Sequence, residues 1–102
     1  MTRITLSEKQ LRFLRGRAHA LKPVIQIGQH GLTAAVTAET VRALSDHELI
    51  KVRVQAGARE ARDSAIAALA EQTASALIQR IGHVAVLFKP RSPLSRIPLP
   101  EG

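Results

Sequence analysis

The chain of 102 residues lacks cysteine, tryptophan and tyrosine, and its two phenylalanines are its only aromatic residues. Without cysteine there is no disulfide framework, no cysteine-ligated zinc site and no thiol nucleophile, and a reducing cytosolic setting suits the chain. The shortage of aromatic rings also leaves little for the base stacking that single-strand binding proteins use. These absences exclude several classes of small domain before any motif is considered.

Long apolar segments are lacking as well. The longest run without a charged residue, 23–38, is interrupted by glutamine, histidine and glycine, and it is shorter than the roughly 18 apolar residues that indicate a membrane span. No apolar stretch of about 7–15 residues precedes Glu8 and Lys9, so no signal peptide is predicted. We therefore expect one soluble, cytoplasmic domain with a single aliphatic core and no membrane partner.

Positive charge is the most informative property that is present. Fifteen Lys and Arg residues oppose eight Asp and Glu, which gives a formal net charge of +7 at pH 7 and a sequence pI of about 11.4. Residues 1–31 carry six cations against one carboxylate, and 76–102 carry four against one, whereas the middle is nearly neutral. A basic surface attracts polyanions before specific contacts form, so nucleic acid is the leading partner class.

A capping-box pair, Ser7 and Gln10, predicts the start of a first helix. Its apolar residues recur at helical spacing, and most of its cations lie on the opposite side. The apolar positions are Leu11, Leu14, Ala18 and Leu21, and the outward cations are Lys9, Arg12 and Arg17. Phe13 falls among these cations, and its packing against a neighbouring element is favoured over a base-stacking role. This helix is therefore predicted to be apolar inside and basic outside.

Strands and helices are predicted to alternate along the rest of the chain. The predicted elements are a strand over 24–27, a glycine loop over 28–31, a helix capped by Thr33, a strand over 49–55, a helix over 59–75, and strands over 77–81 and 84–88 joined by a hairpin at Gly82-His83. The inner face of the helix after Thr33 is assigned to Val36, Thr40, Val41 and Leu44. In the strand over 49–55, apolar residues alternate with Lys51, Arg53 and Gln55, so its wet face is basic.

The order α-β-α-β-α-β-β predicts a two-layer α+β domain with a mixed four-stranded sheet over 1–88. The segment 89–102 contains four prolines and is predicted to be an extended or disordered tail that adds a short edge segment through Ile97 and Leu99.

Signatures of catalysis are missing. The four histidines stand far apart without cysteines, no serine lies in a G-x-S-x-G elbow, and the acidic residues form no evident catalytic pair. The loop from Gly28 to Gly31 lacks both the Lys-Ser/Thr ending of a Walker loop and the third glycine of a dinucleotide fingerprint. We therefore predict no catalytic residue, no metal, no cofactor and no small-molecule substrate.

The loop Gly28-Gln29-His30-Gly31 instead offers access to a phosphate backbone. Two residues without Cβ allow close approach, and the amides that open the next helix point outward at its positive end. K-homology modules hold nucleotides with a four-residue G-x-x-G clamp of this kind. The position of the loop among cations favours RNA binding over a plain turn beside a solvated basic face. The cations predicted to contact RNA are Lys9, Arg12, Arg15, Arg17, Lys22 and Lys51.

Four short motifs occur in order along the chain. They are Leu-Ser-x-Lys-Gln at 6–10, Ala-His-x-Leu-Lys-Pro at 18–23, Ile-Gly-x-x-Gly-Leu-Thr at 27–33 and His-Glu-Leu-Ile-Lys-Val at 47–52. Over about residues 6–88 they resemble the chloroplast RNA splicing and ribosome maturation (CRM) domain, and the length is similar to that of its stand-alone bacterial YhbY-type members. The resemblance implies a fold similar to the C-terminal domain of translation initiation factor 3 and an association with precursors of the large ribosomal subunit.

Carried over by position, the resemblance assigns RNA contacts to the G-x-x-G loop, the basic first helix, Lys22 and Lys51. The loop interior, Gln29-His30, departs from many members of the family, in which a lysine is frequent. Backbone amides are therefore expected to replace a side-chain charge there. His47 and Glu48 are interpreted as a structural pair, held by local hydrogen bonds at a helix-to-strand corner, rather than as a catalytic pair.

The sequence thus leads to a non-enzymatic, monomeric RNA-binding protein that contacts ribosomal RNA during assembly of the large subunit. One alternative is a protein-interaction adaptor that uses the basic face or the proline-rich tail. Another is general DNA binding, which the charge alone permits.

Overall fold

The structure is a computed structural model and describes residues 4–55, 57–91 and 95–101. The helices and strands are α1 (Glu8–Ala18), β1 (Pro23–Ile27), α2 (Ala34–His47), β2 (Leu49–Val54), α3 (Arg59–Thr73), β3 (Ala76–Ile81) and β4 (Val84–Phe88). The strands form one sheet in the order β1-β2-β4-β3, in which β1 and β2 are parallel and the other neighbours are antiparallel. The predicted α+β class, element order and mixed four-stranded sheet are confirmed.

Local signals explain where α1 begins and what it buries. The Ser7 hydroxyl accepts a hydrogen bond from the Gln10 amide at 3.1 Å, and the Gln10 side-chain oxygen accepts one from the Ser7 amide at 3.0 Å. This completes the predicted capping box. The helix ends at Ala18, earlier than predicted, so Leu21 reaches the core from the segment that follows. Phe13 packs against the same core, as the favoured interpretation required.

Helices cover both faces of the sheet. On one face, Leu14 and Ala18 of α1 form a cluster with residues such as Leu49 of β2, and on the other face α2 and α3 enclose Ile50 and Val52 of the same strand. This arrangement has one layer more than expected. The reason lies in β4, where all residues from 85 to 88 are buried, because a strand that is apolar on both faces needs cover on both.

The buried face of α2 contains fewer residues than predicted. Thr40 and Leu44 are buried, and the Thr40 hydroxyl donates a hydrogen bond to the Val36 carbonyl at 2.8 Å. Val41 is instead 48% exposed, so its assignment to the inner face is wrong. It lines a gap between α2 and the end of α3, next to Thr73, that no side chain of the described residues fills.

The C-terminal part of the tail, 95–101, packs on the face of the sheet that α1 covers. Ile97 is only 7% exposed and belongs to the same cluster as Leu14, and the Gln10 side-chain amide donates a hydrogen bond to the Pro100 carbonyl at 2.9 Å. The predicted edge segment through Ile97 and Leu99 is wrong. Ile97 is drawn into the core, and the Leu99 amide bonds back to the Ile97 carbonyl at 2.9 Å, which is a tight turn rather than strand geometry.

Candidate nucleic-acid interface

The loop after β1 is a tight turn with an open backbone. The Gly31 amide donates a hydrogen bond to the Gly28 carbonyl at 3.0 Å, and Gly31 has a φ of +74°, which non-glycine residues rarely adopt. A Cβ added at Gly28 or Gly31 would meet no atom within 4 Å, and Gln29 and His30 are exposed. This segment, called the glycine turn below, therefore leaves its backbone accessible to a partner.

The start of α2 adds positive potential beside the glycine turn. Thr33 caps the helix by accepting a hydrogen bond from the Val36 amide at 3.2 Å, as predicted. The first turn of α2 holds no acidic residue, and Ala34 and Ala35 are exposed. Amides at a helix start carry the positive end of the helix dipole, and small side chains leave them within reach of an anion. The turn and the helix start together suit a phosphate group.

The cations of β2 lie close to the glycine turn. Arg53 is exposed and Lys51 is half-buried, and both point to the face of the sheet on which α1 packs. Val54, the last residue of β2, pairs with Ile27, which directly precedes the glycine turn. At a rise of about 3.3 Å per residue, Lys51 lies about 10 Å from this end of the sheet. One short segment of a polyanion can therefore reach both the turn and β2.

The structure places the six predicted cations in three locations. Arg15 and Lys51 line one hollow beside the end of α1, whereas Arg17 and Lys22 line another hollow on the other flank of this helix. Lys9 and Arg12 are exposed on the outside of α1. The predicted basic residues thus form two pairs and an outer group, and only the first pair includes a residue of β2.

No carboxylate of the described residues forms an ion pair with the six predicted cations. Among residues 4–55, 57–91 and 95–101, the ion pairs join Asp63 to Arg80 at 2.7 Å and to Arg59 at 4.0 Å. Within those ranges, none of the six predicted cations has a carboxylate oxygen within 4.0 Å. As far as the described residues are concerned, an anionic partner would therefore displace no ion pair of these cations.

Two further polar residues of this face were not predicted. Gln26 is exposed on β1, opposite Arg53, and His19 lies in the hollow that Arg15 and Lys51 line. Alternation along β1 contains the signal for Gln26, since its neighbours Ile25 and Ile27 are buried. His19 follows the last residue of α1, and helical spacing cannot predict where the side chain of a residue outside the helix points.

Glu48 joins the start of β2 to the tail. Its buried carboxylate, 1% exposed, accepts hydrogen bonds from the Arg91 amide at 3.0 Å, the Ser95 hydroxyl at 2.5 Å and the Arg96 amide at 2.7 Å. These side-chain partners are distant in sequence and were not predicted. A local hydrogen bond, from the Glu48 amide to the Leu44 carbonyl at 2.8 Å, also holds this corner, as predicted. Burial raises the pKa of the Glu48 carboxyl, but the three hydrogen bonds and the charge of Arg91 outweigh burial, and the pKa lies below its ordinary value.

Other kinds of site were sought in the described part of the chain. No three or more His, Asp or Glu side chains there are grouped so that they could hold a metal ion. None of the helices found there is both long enough and apolar enough to span a membrane. At the hairpin, the His83 Nδ1 atom lies 3.1 Å from the Val54 carbonyl oxygen, which gives this histidine a structural contact.

The chain is similar to known proteins over nearly its whole length. The sequence profile of the CRS1 / YhbY (CRM) domain matches residues 6–89. A Haemophilus influenzae protein named "RNA-binding protein" is 48% identical over 97 residues, which cover 95% of this chain and 97% of the relative. The Bacillus subtilis "Probable RNA-binding protein YqeI" is 38% identical over 95 residues, which cover 93% and 99%. The solution structure of a hypothetical protein from Staphylococcus aureus has a TM-score of 0.80 at 33% identity, with 94% of this chain and 100% of that chain covered.

Proposed function

Because the chain belongs to the CRS1 / YhbY (CRM) domain family, we propose that it is a non-enzymatic RNA-binding protein that acts on ribosomal RNA in precursors of the large ribosomal subunit. The observation that carries RNA binding is the open glycine turn at one end of a sheet face whose cations have no carboxylate partner among the described residues. The names of the relatives support RNA as the partner. The ribosomal assignment is supported by the resemblance of the four sequence motifs to the stand-alone bacterial members of the family.

Each part of the interface has a separate task in this proposal. The glycine turn and the first amides of α2 receive one phosphate group of the RNA backbone. Arg15 and Lys51 neutralise phosphates on the sheet side of α1, while Arg17 and Lys22 do so on its other flank. Because these contacts go to phosphate, they provide affinity and orientation with little dependence on base sequence.

The ribosomal part of the proposal is tested by sedimentation of the tagged, full-length protein from lysate through a sucrose gradient. We expect the protein near the large subunit or its precursors at low and at moderately high salt, and we expect ribonuclease to release it. Salt resistance separates specific docking from diffuse attraction, since the latter weakens steeply with salt. Protein that stays at the top at both salt concentrations, while ribosomes sediment intact, would contradict the ribosomal assignment.

If Arg15 and Lys51 contact phosphates, removing either charge should make the RNA affinity depend less on salt concentration. For Arg15→Gln and Lys51→Gln, we expect weaker binding to a structured RNA at low salt. The slope of log affinity against log salt should become shallower by about 0.7–0.9 for each phosphate that the variant no longer neutralises. The measurement is a fluorescence titration of labelled RNA at four or more salt concentrations.

Arg42→Gln is the matched control for these two variants. Arg42 is exposed on α2, which packs on the opposite face of the sheet, so its removal changes the net charge equally without touching the interface. It should keep the slope of the parent protein. An equal decrease in affinity for all three variants would show that RNA responds to net charge and that this face has no special role.

A further inference from the structure

Four side chains form a register row across all four strands near the glycine turn. Gln26 of β1 pairs with Arg53 of β2, Arg53 pairs with Val84 of β4, and Val84 pairs with Ile81 of β3. Two residues further along the sheet, Lys51 pairs with Val86, whose side chain belongs to the cluster under α1. The row Gln26-Arg53-Val84-Ile81, called the open row below, therefore lies on the same face as α1.

The open row is not covered by α1. Ile81 is 66% exposed, more than any other large hydrophobic residue in the described part of the chain, and it is the last residue of β3, directly before the hairpin turn. Gln26 and Arg53 are exposed and Val84 is half-buried. Helix α1 instead covers the opposite end of this face, where Leu49 pairs with Phe88 and both are buried. The row thus offers two neighbouring aliphatic side chains next to a guanidinium group.

A hollow of about 260 Å³ separates the open row from the end of α1. Its apolar wall consists of Ala18, Ile81, Val84 and Val86. Its polar rim consists of Arg15, His19, Lys51 and Gln79. Among the described residues, no carboxylate lines this hollow. Its chemistry therefore suits a ligand that is flat and apolar on its faces, polar at its edge and linked to negative charge.

We propose that the open row and this hollow bind a nucleobase of a single-stranded RNA segment whose backbone is held by the glycine turn. The proposal rests on the RNA binding proposed above and adds to it a surface for bases. A nucleotide combines an apolar ring face with hydrogen-bonding edges and a phosphate, which match the aliphatic wall, Gln79 and the nearby cations. The RNA is single-stranded at this point because the faces of paired bases are stacked inside a duplex and are not accessible.

The position of the row supports the same ligand. Arg53 precedes Val54, and Val54 pairs with the residue directly before the glycine turn, so the β1 end of the open row adjoins the backbone clamp. Ile81 lies three strand spacings, about 14 Å, across the sheet from β1, so the base that it contacts belongs to a nucleotide further along the same RNA segment. A simple anion would gain no binding energy from the aliphatic side chains of Ile81 and Val84. Contact between an aliphatic wall and a ring also fits a chain with only two phenylalanines, of which Phe88 is fully buried.

The test compares Ile81→Ser with Leu77→Ser. Leu77 is 44% exposed on the same edge strand but pairs with Leu87, whose side chain lies in the cluster on the opposite face. Two fluorescent probes are used with the full-length protein: a single-stranded RNA of mixed sequence, and the same ribose-phosphate chain without bases. Melting curves establish that the variants are folded, and Ile81→Thr, which keeps a β-branched side chain suited to a strand, is measured as a second variant.

We expect Ile81→Ser to bind the RNA with bases about three- to tenfold more weakly than the parent, since an aliphatic side chain should contribute less than an aromatic one, whose stacking on a base is worth about fivefold to a hundredfold. The parent should bind the baseless probe more weakly by a similar factor, with no further decrease from Ile81→Ser, while Leu77→Ser matches the parent on both probes. Equal binding of both probes by the parent would overturn the base site and leave RNA binding intact. Failure of the parent to bind either probe at low salt, while it still binds a structured RNA, would overturn the base site alone, and failure to bind the structured RNA as well would overturn both proposals.

Discussion

Gly31→Asp is expected to weaken RNA binding by about tenfold or more, because like charges placed side by side cost several kcal/mol. Gly31 closes the glycine turn with a φ of +74°, and a Cβ at this position would point into open space. Aspartate tolerates this left-handed conformation better than most residues do. The variant therefore places a carboxylate where a phosphate is proposed to bind, with limited change to the fold. The affinity is measured by fluorescence anisotropy with labelled RNA.

Gly31→Asn is the matched control for this substitution. Asparagine has nearly the same shape as aspartate and also tolerates a positive φ, but it carries no charge. We expect it to bind RNA within a few-fold of the parent, since its amide donates hydrogen bonds to phosphate. If the two variants lose affinity equally, the effect is steric, and if neither loses affinity, the glycine turn is not the clamp.

Glu48→Gln is expected to lower the free energy of unfolding by about 2–3 kcal/mol, because hydrogen bonds to a buried charged group contribute most of that amount. The change keeps the shape of the side chain, so the φ of +64° at this position is equally strained in both proteins. The amides of Arg91 and Arg96 lose a charged acceptor, and the new side-chain NH₂ faces one of these donors. Urea denaturation measures the decrease. Glu101→Gln, an exposed carboxylate of the same tail, should change stability by less than about 0.5 kcal/mol.

The stability difference between the parent and Glu48→Gln should depend on pH, and the pKa of Glu48 determines in which direction. Since this pKa is lower in the folded protein than its ordinary value of 4.5, ionisation of Glu48 stabilises the fold above 4.5, and this contribution disappears as pH falls through the folded pKa. The stability gap between parent and Glu48→Gln should therefore be constant near neutral pH and narrow below 4.5. A gap of the same size at pH 3 would mean that the hydrogen bonds, and not the charge, provide the stability.

The helices and strands could be predicted because helix caps and strand alternation are encoded by residues that are close together in the sequence. The capping residues Ser7 and Thr33 mark helix starts that the structure confirms, and the alternation of Ile50, Lys51 and Val52 identifies a strand with one polar face. The face on which a helix packs depends on contacts between distant residues. For this reason the third layer formed by α1 was not predicted, although the fully apolar sequence of β4 contains the signal for it.

The candidate interface was predicted only in part, for the same physical reason. The glycine turn, Arg15 and Lys51 were identified from their residue types. The parallel pairing of β1 and β2 brings Lys51 near the glycine turn, whereas Arg15 reaches Lys51 through the packing of α1 on the sheet. The division of the α1 cations between two flanks depends on how this helix is rotated on the sheet. The exposure of Ile81 depends on where α1 ends. The hydrogen-bond partners of the Glu48 carboxylate lie more than 40 residues away in sequence, and patterns of local spacing cannot predict contacts over that separation.

Two contacts link the tail to α1: Ile97 packs in the cluster under this helix, and the Gln10 side chain bonds to the Pro100 carbonyl. These contacts affect how the fold opens locally. Separation of α1 from the sheet would also expose Ile97, so we expect the helix and the tail to open as one cooperative unit in hydrogen exchange. RNA held by Arg15 would stabilise this whole unit. Amides in the tail would then exchange more slowly on binding, although they lie outside the surface that touches the RNA.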